Sequence, residues 1–124
     1  MVVIRVTKKS LLTARFASDS FCRSQYRIGT ELQSGYCSVR ILVLVNGSFV
    51  EMAPFPTGHF QVFQVHDGSG SHAIERSYVV RPGAYTVKVQ FSNPFGIEPG
   101  ATFDLRFWHL TVEAARIVGA RKRH

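Results

Sequence analysis

The chain's 124 residues suffice for one domain, residues 1–124, and a domain of that size buries roughly two-thirds of its unfolded surface. A hydrophobic fraction of 45% beside 19% charged residues excludes a disordered chain, and ten Phe against four Tyr and one Trp favour a well-filled core. Fifteen Lys and Arg against eight Asp and Glu leave +7, concentrated in Lys8-Lys9 and in the terminal Arg121, Lys122, Arg123 and His124.

In chain order, "MVVIRVTKK" carries four apolar residues before charge, too few for a signal-peptide core. The longest aliphatic run, "ILVLV" at 41–45, is far below a membrane span. The expectation is a soluble chain made in a cytoplasm, without membrane insertion. "VVIRV" at 2–6 reads as a first strand, and "TARFA" at 13–17 alternates weakly. "CSVRILVLV" at 37–45 ends at Asn46-Gly47, the strongest short hairpin signal, with "SFVEM" at 48–52 as the return strand.

Pro54 and Pro56 break pairing because proline has no N–H to donate. "HFQVFQV" at 59–65 resumes strand character, "HDGSGSH" at 66–72 reads as a flexible loop, and "AIERSYVV" at 73–80 as a strand. Pro82-Gly83 suits a type II turn. Beyond it Tyr85, Val87, Val89 and Phe91 share one face of a strand, and Thr86, Lys88 and Gln90 the other. "SNPFGIEPG" at 92–100 is a long turn.

In "TFDLRFWHLTV" at 102–112, Phe103, Leu105 and Phe107 point one way and Trp108, Leu110 and Val112 the other. The phase slips between Phe107 and Trp108, as at a bulge or a switch of sheets. The segment "EAARIVGARKRH" at 113–124, which ends in a basic tail of about residues 117–124, follows as either a helical turn or a final strand. About nine short strands without helical pairs predict an all-β, antiparallel two-sheet sandwich, jelly-roll-like.

Cys22 and Cys37 form no C-x-x-C, and with no secretory segment they are expected as reduced thiols. No nucleophile elbow, phosphate loop or H-E-x-x-H motif occurs, so the expectation is a protein that is not an enzyme, with no cofactor. "GSGSHA" at 68–73 has no helix after it to hold a phosphate. His59, His66, His72 and Asp67 read as exposed loop groups rather than metal ligands, and His109 as a half-buried, hydrogen-bonded histidine. Glu51, Glu75 and Asp104 form no arguable carboxylate pair.

"ERSYVVRPGAYTVKVQF" and "GATFDLRFWHLTVE" resemble a pattern in small virion proteins of tailed bacteriophages. The matching positions are Pro82, Gly83, Tyr85, Thr86, Val87, Val89 and Gln90, then Leu105, Trp108, Leu110, Thr111, Val112 and Glu113. Such domains are similar to the trimeric jelly rolls of the tumour-necrosis-factor and complement type, found in minor tail proteins, fibre tips and capsid decorations. The resemblance implies a virion structural protein, made in the host cytoplasm and resident in the virion. Minor tail (tail-tip) placement is preferred to capsid decoration. It also implies a homotrimer with Phe107, Trp108 and Leu110 near its contacts, partnered by other tail or capsid proteins and the host surface.

Apolar surplus on the Trp108 strand agrees with a subunit contact. Arg121, Lys122 and Arg123 would form a docking tail for an acidic neighbour or a polyanion. The competing reading is a basic polyanion- or nucleic-acid-binding module, although no recognised nucleic-acid reader occurs.

Overall fold

An extended chain sends successive side chains to opposite faces, and β2 shows this most plainly. In the computed structural model, Ser10, Leu12, Ala14, Phe16, Ser18, Ser20 and Cys22 are all buried, while Arg15, Asp19, Phe21 and Arg23 face solvent. The structure describes residues 1–53, 63–66 (backbone only), 68–94 and 100–117.

Among these, the first strands are β1 (Val2–Val6), β2 (Ser10–Arg23), β3 (Gln25–Ile28), β4 (Glu31–Ser34) and β5 (Tyr36–Val45). Then come β6 (Ser48–Glu51), β7 (Phe63–His66), β8 (Gly68–Val80), β9 (Gly83–Ser92) and β10 (Thr102–Arg116).

The protein is all-β with antiparallel pairings, a two-sheet sandwich. One sheet runs β1-β9-β5-β6, with β7 pairing the other half of β5. The second runs β10-β2-β8, and β3-β4 is a separate hairpin. The chain changes sheet after β1, between β2 and β5 by way of the β3-β4 hairpin, and after β7, β8 and β9, so strands distant in sequence interleave. The inner faces share one core. β2 supplies Leu12, Ala14 and Phe16, β5 supplies Val39, Ile41 and Val43, and Val87, Ile74 and Met52 fill the space between.

Several sequence expectations hold at residue level. Asn46 and Gly47, at φ 50° and 81°, make the β5–β6 hairpin with both central residues left-handed, as a type I′ turn requires. The C-terminal alternative resolves to strand as far as Arg116, where β10 ends, and Ile117 N–H donates to Lys9 O at 2.9 Å; residues 118–124 lie outside the described residues.

Others are corrected. "TARFA" belongs to a strand of 14 residues. The stretch Gly68–His72 is not a loop but the start of β8, with Gly68 opposite Cys22 and Gly70 opposite Ser20. Pro82-Gly83 makes no type II turn. Gly83, at φ 155°, is already paired with Val6, and the Tyr85 hydroxyl donates to Arg81 O at 2.7 Å to tie down the passage between sheets. Residues 23–36, unassigned from sequence, hold the β3-β4 hairpin, closed at its base by Gly35 N–H to Ser24 O at 2.8 Å.

The cysteines are corrected too. Cys22 and Cys37 are joined in a disulfide, with Cα atoms 5.9 Å apart, and both are fully buried. Cys22 ends the inward row of β2 and Cys37 begins that of β5, so the two sheets meet face to face at this pair. The bridge links the sheets and closes the excursion that carries β3-β4.

Candidate functional site

β10 runs beside β1 and β9 of the other sheet, and a groove lies between β9 and β10. β10 is an edge strand of its sheet, paired only with β2 among the described residues. Its register to β2 slips: Arg106 lies opposite Asp19, and His109 opposite Ala17. Phe107 and Trp108 together therefore oppose Ser18, as in a β-bulge. The Ser18 hydroxyl donates to Arg106 O at 3.2 Å, and Phe107 takes the left-handed φ of 51°.

This bulge is the phase slip expected between Phe107 and Trp108, but its effect differs from the expectation. Phe103 and Leu105 lie opposite the buried Cys22 and Ser20, while Leu110 and Val112 lie opposite the buried Phe16 and Ala14. All four consequently pack on the same core. The extra residue restores the inward phase after the slip. The apolar surplus of β10 is thereby confined to the bulge itself, where Phe107 is 85% and Trp108 56% exposed.

Trp108 reaches back toward the core, with its ring 6.2 Å from that of Phe16. With Met1, Val89, Phe91, Leu105 and Leu110 it lines a groove of about 410 Å³. Phe91 corrects another expectation. It keeps the inward phase of Val87 and Val89 yet is 57% exposed, at the wall of this groove. Its ring meets Phe103 edge-on at 6.0 Å. Of the expected contact residues, Trp108 and Leu110 thus share the groove, with Leu110 half-buried against the core. Phe107 lines a different concavity, on the outer face of the same sheet.

The basic ends come together in part. Arg5, Lys8 and Arg116 line one concavity of about 410 Å³ beside Val6 and Ala114, with no acidic side chain in its wall. The Ile117–Lys9 hydrogen bond brings the end of β10 to Lys8-Lys9. Arg121, Lys122, Arg123 and His124 lie outside the described residues.

Titratable side chains mostly serve the sheet faces. Arg15 is held by Glu75 at 2.5 Å and Glu113 at 3.1 Å, a ladder across all three strands of the β10-β2-β8 sheet. The hydrogen bond to Glu75, then the charges of Glu75 and Glu113, raise its pKa. Arg40 pairs with Glu51 at 3.2 Å and reaches Gln90. Arg76 is buried on the inner face, where loss of hydration lowers its pKa against the opposing pull of Glu51.

His109 is exposed at the bulge rather than half-buried. His66 ends β7, and His72 lies within β8 instead of a loop. His59 and Asp67 lie outside the described residues. Among the described residues, no group of three His, Cys, Asp or Glu is placed to hold a metal ion, and no helix is long and apolar enough to cross a membrane. No family model, curated protein or solved structure matches this chain.

Proposed function

We propose that this protein is a non-enzymatic structural subunit of a tailed-bacteriophage virion, a minor tail (tail-tip) component in preference to a capsid decoration. In this reading the strands wrap as a jelly roll, and three copies associate through the β9–β10 side of the sandwich. The observation that carries it is the groove between β9 and β10, where Phe91 and Trp108 remain more than half exposed. Covering a large apolar side chain is worth about 1.5–3 kcal/mol, so an isolated sandwich forgoes what a neighbouring copy would recover.

Two further observations support it. The "PGAYTVKVQ" and "WHLTVE" segments that resemble phage virion proteins supply the two strands bordering this groove. A disulfide between the sheets also suits a particle that leaves the reducing cell. The mechanism is geometric: a rigid sandwich, copies joined around an axis, and ends and outer faces free to dock on tail, capsid or host. Immunogold electron microscopy of purified particles tests it. Label at the tail tip is expected; protein free of virions and bound to DNA in infected cells would overturn it.

The second reading, a polyanion-binding module, is favoured by the basic concavity of Arg5, Lys8 and Arg116. Binding of a DNA oligonucleotide that weakens steeply with salt would support it, since phosphate contacts release counterions whereas apolar subunit contacts do not.

A further inference from the structure

Phe107 has no part in the core, yet its backbone is held in a conformation that costs a non-glycine residue about 1–2 kcal/mol. Besides restoring the inward phase of β10, the bulge presents a phenyl ring to solvent. Bulges re-aim side chains, and strain of this kind collects at functional sites. The ring stands at a concavity of about 320 Å³ on the outer face of the β10-β2-β8 sheet.

The walls of that concavity are specific. Ala17 lies between His109 on β10 and Ala73 on β8, so the floor consists of two methyl groups with an imidazole beside them. One register step along, Asp19 lies between Arg106 and Ser71, and Asp19 Oδ1 accepts a hydrogen bond from the Ser71 hydroxyl at 2.6 Å. The wall therefore combines the exposed aromatic ring of Phe107 with the His109 and His72 imidazoles, the Asp19 carboxylate and the Ser71 and Ser18 hydroxyls.

That combination selects a ligand chemistry. A wholly apolar ligand would strip water from the Asp19 carboxylate and offer it no hydrogen bond beyond that from Ser71. A strongly anionic ligand meets Asp19, and a strongly cationic one meets Arg106 beside it. A ligand with no net charge, one face of C–H groups and a rim of hydroxyls satisfies every wall. We propose that this concavity binds a neutral pyranose saccharide, its C–H face against Phe107 and its hydroxyls toward Asp19 and His109. The proposal is independent of assembly, because the Trp108 groove lies on the other face of the sheet.

Saturation-transfer NMR of the full chain tests it, using glucose, galactose, mannose, N-acetylglucosamine and one disaccharide of each. Saturation is expected to reach the C–H protons of at least one of these sugars. Phe107→Asn keeps a residue tolerant of left-handed backbone, and Asp19→Asn keeps the shape of the rim. Each should weaken binding about tenfold or more, and Trp108→Ala should leave it unchanged. No transfer to any sugar in the panel would overturn the proposal. So would binding by Phe107→Asn equal to wild type, or a loss in Trp108→Ala equal to that in Phe107→Asn.

Discussion

Phe107 and Trp108 are neighbours in sequence, yet the bulge places them at two different concavities, Trp108 at the groove between the sheets and Phe107 on the outer face. In a regular strand, adjacent residues also face opposite ways, but one of them would then displace the inward row that follows. The extra residue opposite Ser18 lets both aromatics stay exposed while Leu110 and Val112 return to the core. One local irregularity thus serves two surfaces without cost to the packing beyond it.

The strain at that bulge is measurable. Replacing Phe107 by Gly removes a side chain that is 85% exposed and relieves the left-handed φ of 51°. The expected outcome is unchanged or higher stability, by about 1 kcal/mol. Urea unfolding monitored by circular dichroism checks it. A midpoint clearly below wild type would mean that Phe107 contributes packing the structure does not show.

The inter-sheet bridge should hold in the purified protein. Cys22 and Cys37 are expected to resist alkylation after denaturation without reductant and to label after reduction, which intact mass reads directly. A double Cys→Ser variant should lose about 3 kcal/mol, the scale for a loop of roughly this length. Alkylation of both thiols in the unreduced, freshly purified chain would contradict the structure.

Val87 and Lys88 provide a matched pair on β9. Val87 is fully buried between the sheets, whereas Lys88 faces outward with its ammonium 3.9 Å from the centre of the Phe49 ring. Val87→Asp should destabilise by several kcal/mol through a buried, unpaired charge, and Lys88→Asp by no more than about 1 kcal/mol. Equal melting temperatures for the two variants would refute the assignment of faces.

These positions also show which parts of the fold can be read from residues alone. β9 is legible because Tyr85, Val87 and Val89 alternate with polar partners, and the β5–β6 hairpin because Asn46-Gly47 has few other uses. The slip at Phe107–Trp108 is legible as a break of phase, although its consequence depends on which strand β10 pairs with.

β2 hides for the opposite reason. Its buried face carries Ser10, Ala14, Ser18 and Ser20, so hydropathy alternation fades even though burial alternates perfectly. The Gly- and Ser-rich start of β8 looks like a loop, and only its pairing with the same small-residue end of β2 makes it a strand. The disulfide is invisible to reasoning from cellular compartment, because it depends on two inward rows from different sheets meeting at Cys22 and Cys37. Of the groove, Trp108 and Leu110 are foreseeable as neighbours on one strand. Met1 and Phe91 join them only through the stacking of the two sheets.

The β9–β10 groove gives the most direct test. Sedimentation equilibrium of the purified chain at tens of micromolar should yield three times the monomer mass, with little change between low and high salt because the groove is lined mainly by apolar side chains, Lys88 and Asp104 apart. A Phe91→Asp, Trp108→Asp double variant alters two side chains already more than half exposed, so it should stay folded and sediment as a monomer. A wild-type chain that remains monomeric across this range, or a double variant that still forms trimers, would contradict assembly through the β9–β10 groove.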